Sequence, residues 1–253
     1  MKTITKDKLV VNIFDTRAEM GAAAGAKAAE LIKEYLAKKQ EVNVIFAAAP
    51  SQNETLESLI KAEGIDWSRV NAFHMDEYIG LSKDAPQGFG NFLREHIFKF
   101  LPFKSVNYID CEAKDIDAEC ARYSALLKAN PVDIVLLGIG ENGHIAFNDP
   151  HVADFNDKAA VKAVELDDVC RQQQVNDGCF KTINDVPKYA LTLTIPTLVS
   201  AQHMVCTVPA PTKAWAVAAT VNEEISEKVP ATIMRKHNSA IMYCDKDSGR
   251  DLL

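Results

Sequence analysis

The sequence predicts an α/β fold in three layers, a mostly parallel sheet covered by helices on both faces. Three observations predict it. Short apolar runs alternate with longer amphipathic ones, the short runs are nearly unbroken as in strands buried on both sides, and no Gly/Ser-rich linker or internal repeat interrupts the chain. Residues 1–253 are therefore expected to form one domain, and 47% apolar content is enough to fill its core.

The elements follow in order. Thr16 or Asp15 is placed to cap a helix over about 17–39, where Met20, Ala24, Leu31 and Tyr35 share one face. Residues 42–49 read as a buried strand closed by Pro50, and a second helix follows near 54–63. The unit then recurs: 69–74 is strand-like, 88–99 and 115–129 are helix-like, and 132–137 is an almost uninterrupted apolar strand. In the second half, 189–195 and 202–208 are expected strands, 211–222 a helix and 240–244 a last strand. Together these give a Rossmann-like α/β/α arrangement. In such sheets ligands sit beyond the carboxyl ends of the strands, which points to the loops after Ala49, His74, Leu137 and Val208.

Composition removes several function classes. A net charge of -7 and the lack of a Lys/Arg cluster argue against nucleic acid or an acidic membrane as partner, while leaving room for a small anionic ligand. The first fourteen residues lack the apolar core of a signal peptide, and no apolar run approaches the ~20 residues of a membrane span, so a cytoplasmic location is expected. The six cysteines form no Cys-x-x-Cys pair and read as buried reduced thiols.

Two loops carry chemistry. Phe73 to Leu81 follows a strand and places Asp76 and Glu77 side by side, which suits either a helix cap or a general base. Gly138 to Pro150 follows the strongest strand and contains Gly-x-Gly-x-x-Gly. A dinucleotide site would put that pattern in the first βα unit and open a helix with it; here it comes late and is cut off by Asn148-Asp149-Pro150. The glycines instead let the backbone fold closely over a ligand and present His144 just beyond the turn, with Asp76 and Asp149 able to converge on it. Metal ligation by His74, His144 or His151 lacks a helical His-x-x-x-His spacing, so no metal is expected.

These two loops closely resemble the signature loops of glucosamine-6-phosphate deaminases, which share a fold with 6-phosphogluconolactonases. The likeness extends through Asp117-Ala118-Glu119-Cys120 and Val186 to Thr192 and covers most of the chain in order. After the Gly-His pair, Ile145-Ala146-Phe147-Asn148 is deaminase-like, whereas lactonases run towards Ser-Leu-Phe-Pro.

The resemblance implies a cofactor-independent aldose–ketose isomerisation of a hexosamine 6-phosphate, gluco or galacto, with loss of ammonia. In it Asp76 matches the base that works between carbons 2 and 1, His144 the group that opens the pyranose ring, and Lys213 a lysine that binds the phosphate at a helix start. Ser51, Gln52, Asn53 and Thr55 stand where the family has a Thr-Gly-Gly-Thr phosphate loop, and Arg171 is the candidate for its lid arginine, with Asn176 as the alternative. Asn142 replaces an acid and Asp149 a glutamate, both beside His144 in the motif; Asn142→Asp would raise activity if that acid is simply missing. Both isomerase and hydrolase activity are expected from the family, the hydrolase being the lactonase alternative. A non-catalytic sugar-phosphate sensor is the other reading that Asn142 keeps open. A homo-oligomer is compatible with the sequence.

Overall fold

The computed structural model describes residues 1–253. The chain opens with an antiparallel hairpin, β1 (Lys2–Lys6) and β2 (Leu9–Phe14), and continues through α1 (Arg17–Leu36), β3 (Val42–Phe46), α2 (Asn53–Ile60) and β4 (Val70–His74). The middle third holds β5 (Asp76–Tyr78), α3 (Phe89–Leu93), β6 (Ser105–Asn107), α4 (Ile116–Ala129) and β7 (Ile134–Leu137). The last comprises β8 (Val161–Glu165), α5 (Asp168–Asn176), β9 (Tyr189–Leu193), α6 (Ile195–Val199), β10 (His203–Val208), α7 (Ala214–Asn222) and β11 (Ala240–Asp245).

Eight strands form the main sheet in the order β1-β2-β11-β10-β7-β3-β4-β6, parallel throughout except for the β1 edge. Successive side chains of a strand point to opposite faces, and here both faces are dry. Ile45, Val135, Leu137 and Cys206 enter one core of 34 buried residues, together with Tyr123 of α4 and Val217 of α7. Val44, Phe46, Ile134, Leu136 and Val205 enter a second core of 32, with Met20 and Ile32 of α1 and Leu56 of α2. This is the expected mostly parallel sheet between helical layers. No helix is long and apolar enough to cross a membrane.

Several elements lie outside the sequence expectation. The hairpin, β6 and α5 were not expected, and neither was a second, three-stranded antiparallel sheet in the order β5-β9-β8. The helix over 88–99 is α-helical only for Phe89–Leu93 and then widens into a π-turn over Arg94–Phe98. Thr16, not Asp15, caps α1, through a reciprocal box in which Glu19 N–H donates to Thr16 Oγ1 and Thr16 N–H to Glu19 Oε2.

Because β3, β4, β7 and β10 run parallel and in register, their carboxyl ends lie along one edge: Phe46 is level with His74 and Leu136, and Leu137 with Cys206. The small sheet then ties the loops together. Asp76 stands opposite Thr192 across the β5–β9 ladder, and the same Thr192 accepts through Oγ1 from Phe147 N–H at 3.0 Å. One residue of β9 thus links the loop that follows β4 to the loop that follows β7.

Candidate active site

At that edge lies a cavity of about 390 Å³, a size that suits a small ligand. Asp76, His144, Ser51, Gln52 and Lys213 all line it.

Asp76 is where the chain leaves the main sheet at Met75 and enters the small one, a switch fixed by Leu193 N–H donating to Met75 O at 2.8 Å. Burial, reinforced by the neighbouring Glu77 charge, pushes the Asp76 carboxyl well above the usual carboxylate range. Glu77 is employed differently: it accepts from the backbone N–H groups of Tyr78, Phe89 and Gly90 at 2.9, 3.0 and 2.8 Å, anchoring the first turn of α3. Burial raises its pKa despite those three donors. His74 is buried behind Asp76. Ile109 N–H donates to its Nε2 at 2.9 Å, so Nδ1 carries the proton and donates to Asp76 O at 2.9 Å. Burial lowers its pKa to about 4, so this imidazole is a neutral brace.

His144 sits on a turn closed by Gly140 N–H donating to His144 O at 2.9 Å and Gly143 N–H to Gly140 O at 3.0 Å. Glycine at 140 is a matter of space: a Cβ there would lie 2.2 Å from the imidazole Cε1. The ring's Nδ1 lies 2.8 Å from Asp149 Oδ1. Burial works to raise the Asp149 pKa, but the pull of His144 and the donors around it outweigh this and hold the carboxyl below its usual range. Asn142 bridges the two: its Nδ2 donates to Asp149 Oδ1 at 2.9 Å, and its Oδ1 accepts from His144 N–H at 3.1 Å. Asn142 therefore positions Asp149, and Asp149 faces the imidazole.

Lys213 ends the 3-10 turn Pro211–Lys213 that leads into α7. Burial draws its ammonium pKa down, and nearby Asp177 and Glu141 push it back up. The preceding Ala210 holds φ at 83° and ψ at 149°, a region proper to glycine, and its N–H donates to Asp245 Oδ2 at 3.0 Å.

Three expected phosphate residues, Thr55, Asn53 and Arg171, do not line the cavity, and two of them are engaged elsewhere. Thr55 Oγ1 and Thr207 Oγ1 share a hydrogen bond of 3.2 Å between α2 and β10. Asn53 begins α2, and its Oδ1 is buried without a partner. The guanidinium of Arg171 donates to Ile183 O at 2.7 Å and Val186 O at 3.1 Å and pairs with Asp168 at 3.1 Å, so it clamps the segment before β9. Conversely, Arg17, Gln173, Gln174 and Asp177 line the cavity and were not singled out from the sequence. The polar run Arg171-Gln172-Gln173-Gln174 was the available signal for α5.

Donor atoms of His144, Asp149 and Cys170 lie within 4.8 Å of one another, as do those of Asp149, His151 and Asp167. These are the groups placed to hold a metal. In the first, Asp149 already faces His144 and accepts from Asn142, an arrangement suited to orienting a proton-transferring imidazole.

Comparison with known proteins identifies the family. A glucosamine-6-phosphate deaminase of Streptococcus sanguinis (strain SK36) is 33% identical over 224 residues, 88% of this chain and 92% of its own. One of Clostridium acetobutylicum is 36% identical over 198 residues, 77% of this chain and 80% of its own. A solved monomeric glucosamine-6-phosphate deaminase superimposes with a TM-score of 0.86 at 30% identity, covering 95% of this chain and 98% of that one. The 6-phosphogluconolactonase of Thermotoga maritima superimposes with a TM-score of 0.77 at 18% identity, covering 94% and 100%, which shows the fold alone. The expectation of hydrolase activity is corrected accordingly, since lactonases stand only among such distant neighbours while the relatives at 33–36% identity carry the deaminase name. With the family model for glucosamine-6-phosphate isomerases and 6-phosphogluconolactonases matching residues 15–243, this chain belongs to that family.

Proposed function

We propose that this protein is a deaminating aldose–ketose isomerase that converts a hexosamine 6-phosphate, gluco or galacto, to the ketohexose 6-phosphate and ammonia. The observation that carries the proposal is that one cavity is lined by a carboxyl of raised pKa, an imidazole and a buried ammonium. A carboxyl whose pKa burial raises above the ordinary carboxylate range is, once ionised, a stronger base towards a carbon acid than an ordinary aspartate.

His144, held by Asp149, moves the proton between the ring oxygen and the anomeric hydroxyl and so opens the pyranose. Asp76 then takes the proton from carbon 2, which the aldehyde at carbon 1 acidifies, and after exchange with solvent delivers one to carbon 1, while a proton of the carbon-2 ammonium passes to the oxygen of carbon 1. The bond from carbon 2 to nitrogen becomes an imine, and addition of water to it releases ammonia and leaves the ketone. Each step is a proton transfer or a water addition, for which these side chains and solvent suffice without a cofactor. Lys213 and Ser51, which line the same cavity, take the phosphate. Every residue invoked lies on one chain, so the mechanism needs no second copy, and we place the enzyme in the cytoplasm, where phosphosugars are made.

A panel of hexosamine 6-phosphates and their N-acetyl forms, assayed for ammonia, tests the proposal. Turnover of a free-amine hexosamine 6-phosphate is the expected result. Tight binding with no ammonia over hours would replace the enzyme with a sensor, and lactone hydrolysis in its place would refute the isomerase.

A further inference from the structure

Arg17 takes no part in the proton chemistry, yet it lines the cavity beside Pro50, Ser51 and Gln52. It is the first residue of α1, more than thirty positions from the loop it meets. Its Nε donates to Glu54 Oε1 at 2.7 Å and its Nη2 to the Pro50 carbonyl, which leaves Nη1 without a protein partner. Lys213 is the one other lysine or arginine that lines the cavity, and Asp177 and Glu141 partly balance its charge.

The loop between β3 and α2 has no glycine to wrap its amides around an anion, and Pro50 has no N–H to offer. Glu54, in the first turn of α2, looks hostile to a phosphate. The structure turns its Oε1 onto the Arg17 guanidinium instead, where it works as a tether. A guanidinium held at two nitrogens has lost its rotamer freedom before the ligand arrives, so its third nitrogen binds an anion at little further entropic cost. We propose that Arg17, fixed by Glu54 and the Pro50 carbonyl, is the second anchor for the substrate's phosphate and makes the enzyme prefer a phosphorylated sugar. This rests on the phosphosugar deaminase assignment made above and adds to it a residue and a device.

Titration calorimetry with inorganic phosphate tests the anchor without turnover. Arg17→Gln should raise the phosphate Kd about tenfold or more, the scale of one lost charge-assisted hydrogen bond. In kinetics it should raise KM for the hexosamine 6-phosphate by a comparable factor with kcat nearly unchanged, and leave kcat/KM for the non-phosphorylated hexosamine at the parent value. Arg17→Lys, which keeps the charge and loses the fork, should also bind phosphate more weakly than the parent; it supplies the same comparison if Arg17→Gln does not fold. Phosphate affinity within twofold of the parent in the folded variants overturns the proposal. Glu54→Gln should weaken phosphate binding, and tighter binding there would reduce Glu54 to an opposing charge and overturn the tether. If phosphate binding falls as expected but the parent releases no ammonia, the deaminase assignment alone fails; if ammonia is released and Arg17→Gln binds phosphate normally, the anchor alone fails.

Discussion

Asp76 and Glu77 are neighbours with the same chemistry and opposite employment. Glu77 fills its oxygens with the amides of Tyr78, Phe89 and Gly90, whereas burial and the Glu77 charge, with no donor to offset them, set the pKa of Asp76. Composition could place two acids at a strand end but could not tell which would be free, because that depends on where α3 begins. Asn142 gives the reverse lesson. From the sequence it reads as a lost acid, so Asn142→Asp would be a repair; in the structure its Nδ2 donates to Asp149 at 2.9 Å, and an aspartate there would set two carboxylates against each other. Asn142→Asp is therefore expected to lower kcat about tenfold, the scale of one broken buried hydrogen bond, with KM little changed. A rise in kcat in steady-state assays would show that Asp149 is positioned by something else. His74 makes a prediction about stability. Its folded pKa of about 4 lies below the 6.5 of the free side chain, so its contribution is complete above pH 6.5 and is lost as pH falls from 6.5 towards 4, when the unfolded chain takes a proton that the folded one refuses. The loss is of order 3 kcal/mol. Urea denaturation at pH 7 and pH 4.5 should show that drop in the parent and a smaller one in His74→Gln, and equal drops would discount the buried imidazole.

Among the elements, those with strong apolar periodicity were legible and those held by context were not. β3, β7 and β10 could be read directly because both faces of each are buried. α5 escaped because Arg171 to Gln174 carries no apolar stripe; Gln173 and Gln174 are buried against the site, and Arg171 against the segment before β9. β5 and β8 are short and half polar, and only β9 between them gives them a sheet. The contact of α1 with α2 depends on two glycines: a Cβ at Gly25 would lie 2.4 Å from Ser58 Cβ and 2.8 Å from Thr55 O, and one at Gly21 2.2 Å from Glu54 Cβ. Since α2 carries Glu54 and α1 carries Arg17, that close approach also sets one end of the cavity. Gly25→Val should cost about 1–3 kcal/mol by overpacking, read as a lowered denaturation midpoint, and should weaken substrate binding with it. An unchanged midpoint would mean that the helices can separate freely.

For the whole molecule, the parallel sheet gathers the ends of four strands on one edge, and the small sheet fixes how the loops beyond them meet. The first of these was legible, because alternating apolar and amphipathic runs leave few other architectures. The second was not, because Thr192 connects Asp76 to Phe147 through a ladder and a side-chain bond that no local pattern announces. Asp76 and His144 consequently line one cavity although they lie 68 positions apart in the chain. The central claim is that Asp76 moves a proton between carbon 2 and carbon 1 of a sugar that His144 has opened. Incubating the hexosamine 6-phosphate in deuterated water and following ammonia and the deuterium at carbon 1 of the product tests it most directly, in the parent and in Asp76→Asn. The parent should release ammonia and place solvent deuterium at carbon 1, and Asp76→Asn should lose 100-fold or more of both, about the measure of a removed general base, while still binding substrate. Undiminished turnover and labelling in Asp76→Asn would contradict the account.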